Sequence, residues 1–133
     1  MKQPMHTKVA LTRGDDRKAN VAKALQLIAD QFDLTKPDRI LIKPNFVSTH
    51  DQSAATHVDA VRAVLEFIRQ YTSKPVTIGE SAAMGSASKG YSNYNYLPLV
   101  KEFGVRLIDF DDGDYVEVKA YDRSFKPMSL HLS

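Results

Sequence analysis

Polar residues directly follow the ends of two apolar segments of this chain. Lys43 and Asn45 follow the apolar segment 39–42, and Glu80 and Ser81 follow the segment 76–79. Lysine and asparagine donate hydrogen bonds to anions, a serine hydroxyl donates or accepts, and a glutamate can exchange protons with a ligand. If both segments are parallel strands, these side chains meet at the edge where open α/β sheets bind ligands. The spacing therefore predicts a site with Lys43, Asn45 and Ser81 as ligand-binding residues and Glu80 as a catalytic candidate.

Thr56 and His57 open a helix at the end of the loop that follows Asn45. Thr56 and Asp59 have the spacing of a capping box, so Thr56 is either the helix cap or a ligand-binding hydroxyl. His57 lies in the first helical turn, where the helix dipole disfavours the imidazolium form. A neutral imidazole there can accept a proton, which makes His57 the second catalytic candidate. The alternative is that His57 is an ordinary exposed histidine.

A third apolar segment, 105–110, carries Asp109 near its end. A carboxylate in this place is a candidate ligand for a hard cation such as Mg²⁺, and Asp111 and Asp112 predict a turn. Residues 91–96 include three tyrosines. We expect these tyrosines to stack on a flat ligand, to line a protein interface, or to pack in the core.

Composition excludes several classes of protein. The 133 residues have a net charge of +2 without a block of like charges, which argues against a nucleic-acid binder. The chain has no cysteine, so it holds no disulfide and no iron–sulfur cluster by cysteine. No apolar run is long enough for a membrane span, and a cytoplasmic location is the default expectation. The glycine-rich patterns of the two common nucleotide-binding loops are absent.

Apolar periodicity places these residues in alternating strands and helices. The predicted strands are residues 8–11, 39–42, 76–79, 105–110 and 115–121, and the predicted helices are 17–32, a helix from Thr56 to the break at 73–75, and 94–103 with its stop at Gly104. This order predicts one α/β domain over residues 1–133, a three-layer sandwich with a mainly parallel sheet of about five strands and helices on both faces. If the last two strands form a hairpin, the sheet is mixed. Residues 128–133 alternate like the start of another strand, and we therefore expect the chain to be the amino-terminal part of a longer protein.

Four segments together resemble a known family. The strand ending in Ile-Lys-Pro-Asn at 42–45, the Thr-His helix start at 56–57, the Gly-Glu-Ser strand end at 79–81 and the Gly-Val-Arg-Leu-Ile-Asp strand at 104–109 are similar to the family called domain of unknown function 362 (DUF362). The resemblance implies a domain that continues further, towards a Lys-x-His element which this sequence lacks. It also implies that some relatives carry ferredoxin-like iron–sulfur modules beside this domain.

Two functions follow as hypotheses. In the first, the domain binds a small anionic ligand at the carboxyl edge of its sheet, as part of an enzyme or of a binding protein. In the second, it is an interaction module of a larger iron–sulfur or redox protein, without catalysis in this segment. Its partner is then the missing carboxyl-terminal region or a ferredoxin-like module, and an oligomer is compatible with either hypothesis.

Overall fold

The computed structural model describes residues 7–114 and 116–132. Its strands are β1 (Ile40–Ile42), β2 (Val76–Glu80), β3 (Arg106–Asp109), β4 (Val116–Tyr121) and β5 (Pro127–Leu132). Its helices are α1 (Arg17–Leu27), α2 (Val58–Arg69), α3 (Ala87–Asn93) and α4 (Pro98–Phe103), with short 3₁₀ turns at Ala29–Gln31, Gln52–Ala54 and Phe110–Asp112. No helix within the described ranges is both long enough and apolar enough to cross a membrane.

The first three strands form a parallel sheet in the order β1-β2-β3. Ile42 lies beside Ile78, and Glu80 lies beside Asp109. The central strand β2 is buried over most of its length, as expected for a strand with neighbours on both sides. Parallel pairing places the carboxyl ends of all three strands at one edge, as the sequence predicts.

Helix α2 covers one face of this sheet. Its buried residues recur at helical spacing and pack with the inward side chains of β2. Helix α1 packs against α2, and none of its residues is fully buried. The core consists of apolar residues from the sheet, from α2, from the segment 87–105 and from the loop after β1, which contributes Phe46: Phe46, Val58, Val61, Leu65, Ile68, Val76, Ile78, Ala87, Tyr91, Tyr94, Tyr96, Leu99 and Val105.

The five-stranded three-layer sandwich is not confirmed. The predicted strand at residues 8–11 pairs with no described strand, and its Val9 and Leu11 are 90% and 92% exposed. Its short apolar run permits a strand, but strand formation also requires hydrogen bonds to a neighbouring strand. On the second face of the sheet, Leu41 remains 57% exposed beside an open cavity of about 400 Å³. A helical layer on that face is therefore not confirmed either.

The last two strands form a separate antiparallel hairpin, in which β4 pairs with β5. The prediction of a strand at 115–121 is confirmed over Val116–Tyr121, while Tyr115 lies outside the described residues. The strand predicted to start at residue 128 is confirmed over Pro127–Leu132. The alternative in which 105–110 and 115–121 form the hairpin is wrong, because β3 is in the sheet with β1 and β2, whereas β4 pairs with β5 in a separate sheet.

Two helices differ from their predicted bounds. The helix predicted at 17–32 ends at Leu27 and is followed by a 3₁₀ turn. The helix predicted at 94–103 is helical only over Pro98–Phe103, and a further helix that was not predicted, α3, precedes it and begins within the loop of small residues. Pro98 in the first turn and Gly104 at the stop, with φ of 65°, agree with the sequence.

The three tyrosines of residues 91–96 are core residues. Tyr91, Tyr94 and Tyr96 surround Phe46 edge to face, with ring centres 5.3–5.5 Å from its own. Their hydroxyls donate to backbone carbonyls at 2.6–2.8 Å, so each ring is buried with its polar end satisfied. Packing, rather than stacking on a ligand, explains this run.

Burial raises the pKa of Tyr91 above the ordinary range, and the charges of Glu80 and Asp109 raise it further. The pKa of Tyr96 is raised by burial and then by Tyr91 and Glu80. A tyrosine whose pKa is higher in the folded protein than in the unfolded chain stabilises the fold while its hydroxyl is protonated. This contribution to stability is complete below the ordinary tyrosine pKa of about 10, and it is lost as the pH rises from there towards the raised pKa values. We expect the free energy of unfolding in urea to decline above about pH 10. The Tyr91→Phe variant should show a shallower decline, and an identical decline in both proteins would contradict this assignment.

Candidate functional site

The residues that follow β1, β2 and β3 form the carboxyl edge of the sheet. Lys43 comes directly after β1, Glu80 is the last residue of β2, and Asp109 is the last residue of β3. The register places Glu80 directly beside Asp109. We use the name carboxyl edge for these residues together with Asn45, Thr56, His57, Ser81 and Asp111.

Lys43 and Glu80 form an ion pair at the centre of the edge. The Lys43 ammonium donates to a Glu80 carboxylate oxygen at 2.7 Å and to the carbonyl of Pro44 at 3.3 Å. Glu80 is only 2% exposed, whereas the Lys43 side chain is 53% exposed. The buried carboxylate therefore holds the ammonium in place, and one of the three N–H groups of Lys43 is left to face solvent.

The backbone brings Asn45 and Thr56 together. The Asn45 amide donates to the Thr56 hydroxyl at 2.9 Å, and the Thr56 amide donates to the Asn45 carbonyl at 2.8 Å. These two bonds close the loop between β1 and α2. The hydroxyl hydrogen of Thr56 can still donate, and the Asn45 side chain is exposed.

The cap of α2 is His57, not Thr56. The Nδ1 atom of His57 accepts from the Asp59 amide at 3.2 Å, while the Thr56 hydroxyl is already bonded to Asn45. The helix therefore starts one residue later than the capping-box spacing predicts. A neutral His57 that accepts at Nδ1 carries its proton on Nε2, which makes Nε2–H a donor for a ligand. The Asp59 carboxylate lies 3.3 Å from Nδ1 and would pair with a protonated ring.

The other half of the edge is acidic. Asp109 accepts from the amides of Ser88 and Asp111 at 3.2 Å each, so its carboxylate ties the start of α3 to the end of β3. Ser81 donates its hydroxyl to Asp111 at 2.6 Å. Within residues 7–114 and 116–132, no three histidine or acidic side chains gather as a metal-binding group.

The structure thus joins the predicted residues into two neighbouring groups. Lys43, Asn45, Thr56 and His57 supply hydrogen-bond donors on one side, and the acidic residues lie on the other, with the Lys43–Glu80 pair between them. The contact of Ser81 with Asp111 was not predicted, because the sequence assigns Asp111 to a turn. The start of α3 was also missed, although Ser86 gives a signal for it: its hydroxyl accepts from the Lys89 amide as a helix cap.

A family model matches the part of the chain that contains the predicted site residues. The family model described as "Domain of unknown function (DUF362)" matches residues 40–132. The chain belongs to this family. The match includes every predicted site residue from Lys43 to Asp109, and it includes the hairpin as well.

One curated relative of this DUF362 chain is the "Thylakoid-associated protein sll1697" of Synechocystis sp.. The two are 30% identical over 100 residues, which is 73% of this chain and 31% of the relative. The chain thus spans about a third of the length of that relative. No solved structure matches the chain.

Proposed function

We propose that the carboxyl edge of this DUF362 domain binds a small anionic molecule. The observation that carries the proposal is the half-exposed Lys43 ammonium, which the buried Glu80 holds beyond the end of β1. An ammonium held in one place loses less side-chain freedom when it contacts a ligand than a free surface lysine does.

Three neutral donors support the same proposal. The Asn45 amide group, the Thr56 hydroxyl and the Nε2–H of His57 belong to segments that the backbone bonds of Asn45 and Thr56 hold side by side. They lie where α2 begins, and the amide groups of a helix start favour negative charge. Glu80 neutralises much of the Lys43 charge and Asp59 lies beside His57, so we expect modest affinity with recognition by several hydrogen bonds.

Of the two catalytic candidates, His57 is the better placed for proton exchange with a bound ligand. Its side chain is 32% exposed, whereas Glu80 is nearly inaccessible and is bonded to Lys43. Glu80 then acts as a positioning residue for Lys43. In this proposal Ser81 belongs to the acidic half of the edge and contacts a hydroxyl or amine of the ligand rather than its anionic group.

The Asn45→Asp variant tests the binding proposal. Its side chain is exposed, so the substitution should leave the melting temperature nearly unchanged, but it adds a negative charge among the donors. With inorganic phosphate as the probe, we expect binding to weaken about fivefold, the effect of roughly 1 kcal/mol of added repulsion. Titration followed by nuclear magnetic resonance shifts of the amides at 43–57 measures this change.

Gln70→Glu is the matched control, because it makes the same change of charge directly after the opposite end of α2. Gln70 accepts a hydrogen bond from Gln26 through an oxygen that glutamate retains. Phosphate affinity should be unchanged in this variant. Equal weakening by both variants, or no shift of these amides with phosphate, would overturn the proposal.

The interaction module remains a second candidate, and the uncovered face of the sheet favours it. Leu41, Ile108 and Phe110 line the open cavity of about 400 Å³ on that face, together with Arg39 and Thr77. An exposed apolar surface of this kind suits a covering layer from the carboxyl-terminal region of a longer protein or from a ferredoxin-like module. The two candidates differ in the phosphate titration, because a docking face away from the carboxyl edge predicts no response of the amides at 43–57.

A further inference from the structure

The side-chain cap of α2 is the ring of His57. Its Nδ1 atom accepts from the Asp59 amide at 3.2 Å, and only a ring without a proton on Nδ1 can do so. The residues most often found at a helix cap are serine, threonine, asparagine and aspartate, which accept through an oxygen. A histidine cap differs from these, because the proton that its ring gains near neutral pH removes the acceptor.

The Asp59 carboxylate offers the same ring a second arrangement. Its Oδ2 atom lies 3.3 Å from Nδ1, so a proton gained by Nδ1 finds an acceptor without a large movement of the ring. The protonated ring then donates to this carboxylate, and the Asp59 amide loses its acceptor. A cation is unfavourable at a helix start, and the negative charge of Asp59 offsets that cost. His57 thus has two states, a neutral cap of the Asp59 amide and a cationic donor to the Asp59 carboxylate.

The charged surroundings of His57 make this exchange specific. In the described part of the chain, Asp59 is the acidic side chain that lies within 4 Å of the ring. A second histidine of this region, His50, is exposed in the loop after β1. Other charged or titratable groups around the first two turns of α2 already have partners: Lys43 with Glu80, Arg62 with Glu102, and the Tyr96 hydroxyl with the Thr56 carbonyl.

We propose that protonation of His57 strengthens anion binding at the carboxyl edge, while Asp59 holds the protonated ring. The inference rests on the anion site proposed above, in which Nε2–H of His57 is a neutral donor. Protonation keeps this donor and adds a positive charge to the ring. It also releases the Asp59 amide, which joins the donors at the helix start, where negative charge is favoured.

The effect on affinity is moderate and works in both directions. Asp59 neutralises part of the new charge, and water reaches the 32% exposed ring, so we expect anion binding to tighten about fivefold. A bound anion must then hold the proton on His57 more tightly by the same factor. The measured midpoint of the His57 titration should therefore rise by about 0.7 of a pH unit when the anion saturates the site.

Sulfate is the probe, because its charge is constant near neutral pH, whereas phosphate gains a proton of its own. Nuclear magnetic resonance of the full chain between about pH 8 and 5.5 gives the protonation of each ring nitrogen of His57, the shift of the Asp59 amide, and the sulfate affinity from the amides at 43–57. We expect the proton on Nε2 at the higher pH. As the pH falls, the Asp59 amide should follow the ring, and sulfate should bind about fivefold more tightly.

Two variants separate His57 from other groups that titrate in this range. His57→Asn removes the proton exchange but keeps a good helix cap, so its sulfate affinity should not change with pH while circular dichroism shows the chain folded. His50→Gln is the matched control, because it removes the exposed histidine of the neighbouring loop. The fivefold change should persist in this variant.

The outcomes distinguish this inference from the anion site itself. Equal sulfate affinity at both pH values in the unaltered protein would overturn the inference and leave the anion site in place. A proton on Nδ1 at the higher pH, or the same pH effect in His57→Asn as in the unaltered protein, would overturn it as well. If sulfate shifted none of the amides at 43–57 at either pH, the anion site would be wrong, and the coupling would fall with it.

Discussion

Replacing Phe46 by alanine is expected to lower the free energy of unfolding by about 3–5 kcal/mol. Phe46 is 1% exposed, and Tyr91, Tyr94 and Tyr96 contact it edge to face. Alanine would remove the ring at the centre of this cluster and leave a cavity, because three tyrosines whose hydroxyls are bonded to the backbone cannot move in to fill it. Urea denaturation followed by circular dichroism measures the change.

Phe46→Leu and Phe125→Ala complete this experiment. Leucine keeps much of the volume but loses the aromatic contacts, so we expect a smaller loss, about 1–2 kcal/mol. Phe125 is 85% exposed in the turn of the hairpin, and its truncation should change stability by less than about 0.5 kcal/mol. A loss below about 1 kcal/mol for Phe46→Ala would mean that the aromatic cluster contributes little to the fold.

Replacing Lys43 by methionine is expected to have the second largest effect, a loss of about 1–3 kcal/mol. Methionine keeps the aliphatic stem but leaves the 2% exposed Glu80 carboxylate without its cation. The cost falls below that of a fully buried pair, because water reaches the half-exposed lysine side of the contact. The melting temperature and the free energy of unfolding in urea measure this loss.

A double-mutant cycle isolates the ion pair. Glu80→Gln keeps the shape of the side chain and removes its charge, so Lys43→Met combined with Glu80→Gln should recover most of the stability lost by Lys43→Met alone. We expect a coupling energy of about 1–2 kcal/mol between the two positions. If the losses simply add, the contact of Lys43 with Glu80 contributes nothing beyond its parts, and Glu80 does not position Lys43.

The substitution of Phe46 is also expected to affect the carboxyl edge. Phe46 directly follows Lys43, Pro44 and Asn45, and its carbonyl accepts from the Ala83 amide in the loop after β2. The ring in the core therefore anchors the segment that presents Lys43 and Asn45 at the carboxyl edge. We expect Phe46→Ala to weaken phosphate binding through loss of this anchor, whereas Asn45→Asp acts at the edge itself, through its added charge and the loss of the side-chain N–H donors.

The elements that the sequence predicts correctly are those with a local signal. The stripe of α2, the apolar runs of β1, β2 and β3, Pro98 in the first turn of α4 and the stop at Gly104 depend on neighbouring residues alone. Residues 8–11 include a short apolar run as well, and they form no strand. Pairing depends on a distant neighbour, and a run of three apolar residues does not specify one.

The order of residues in the chain shows which polar side chains follow the ends of the strands, and parallel pairing then brings Lys43, Glu80 and Asp109 to one edge. The contacts that each of these side chains makes could not be read from that order. Glu80 is buried under the Lys43 ammonium, Asp109 holds backbone amides, and His57 rather than Thr56 caps α2. The reason is that chain order fixes where a side chain starts, whereas burial and hydrogen-bond partners depend on segments up to 37 residues away, as for Lys43 and Glu80.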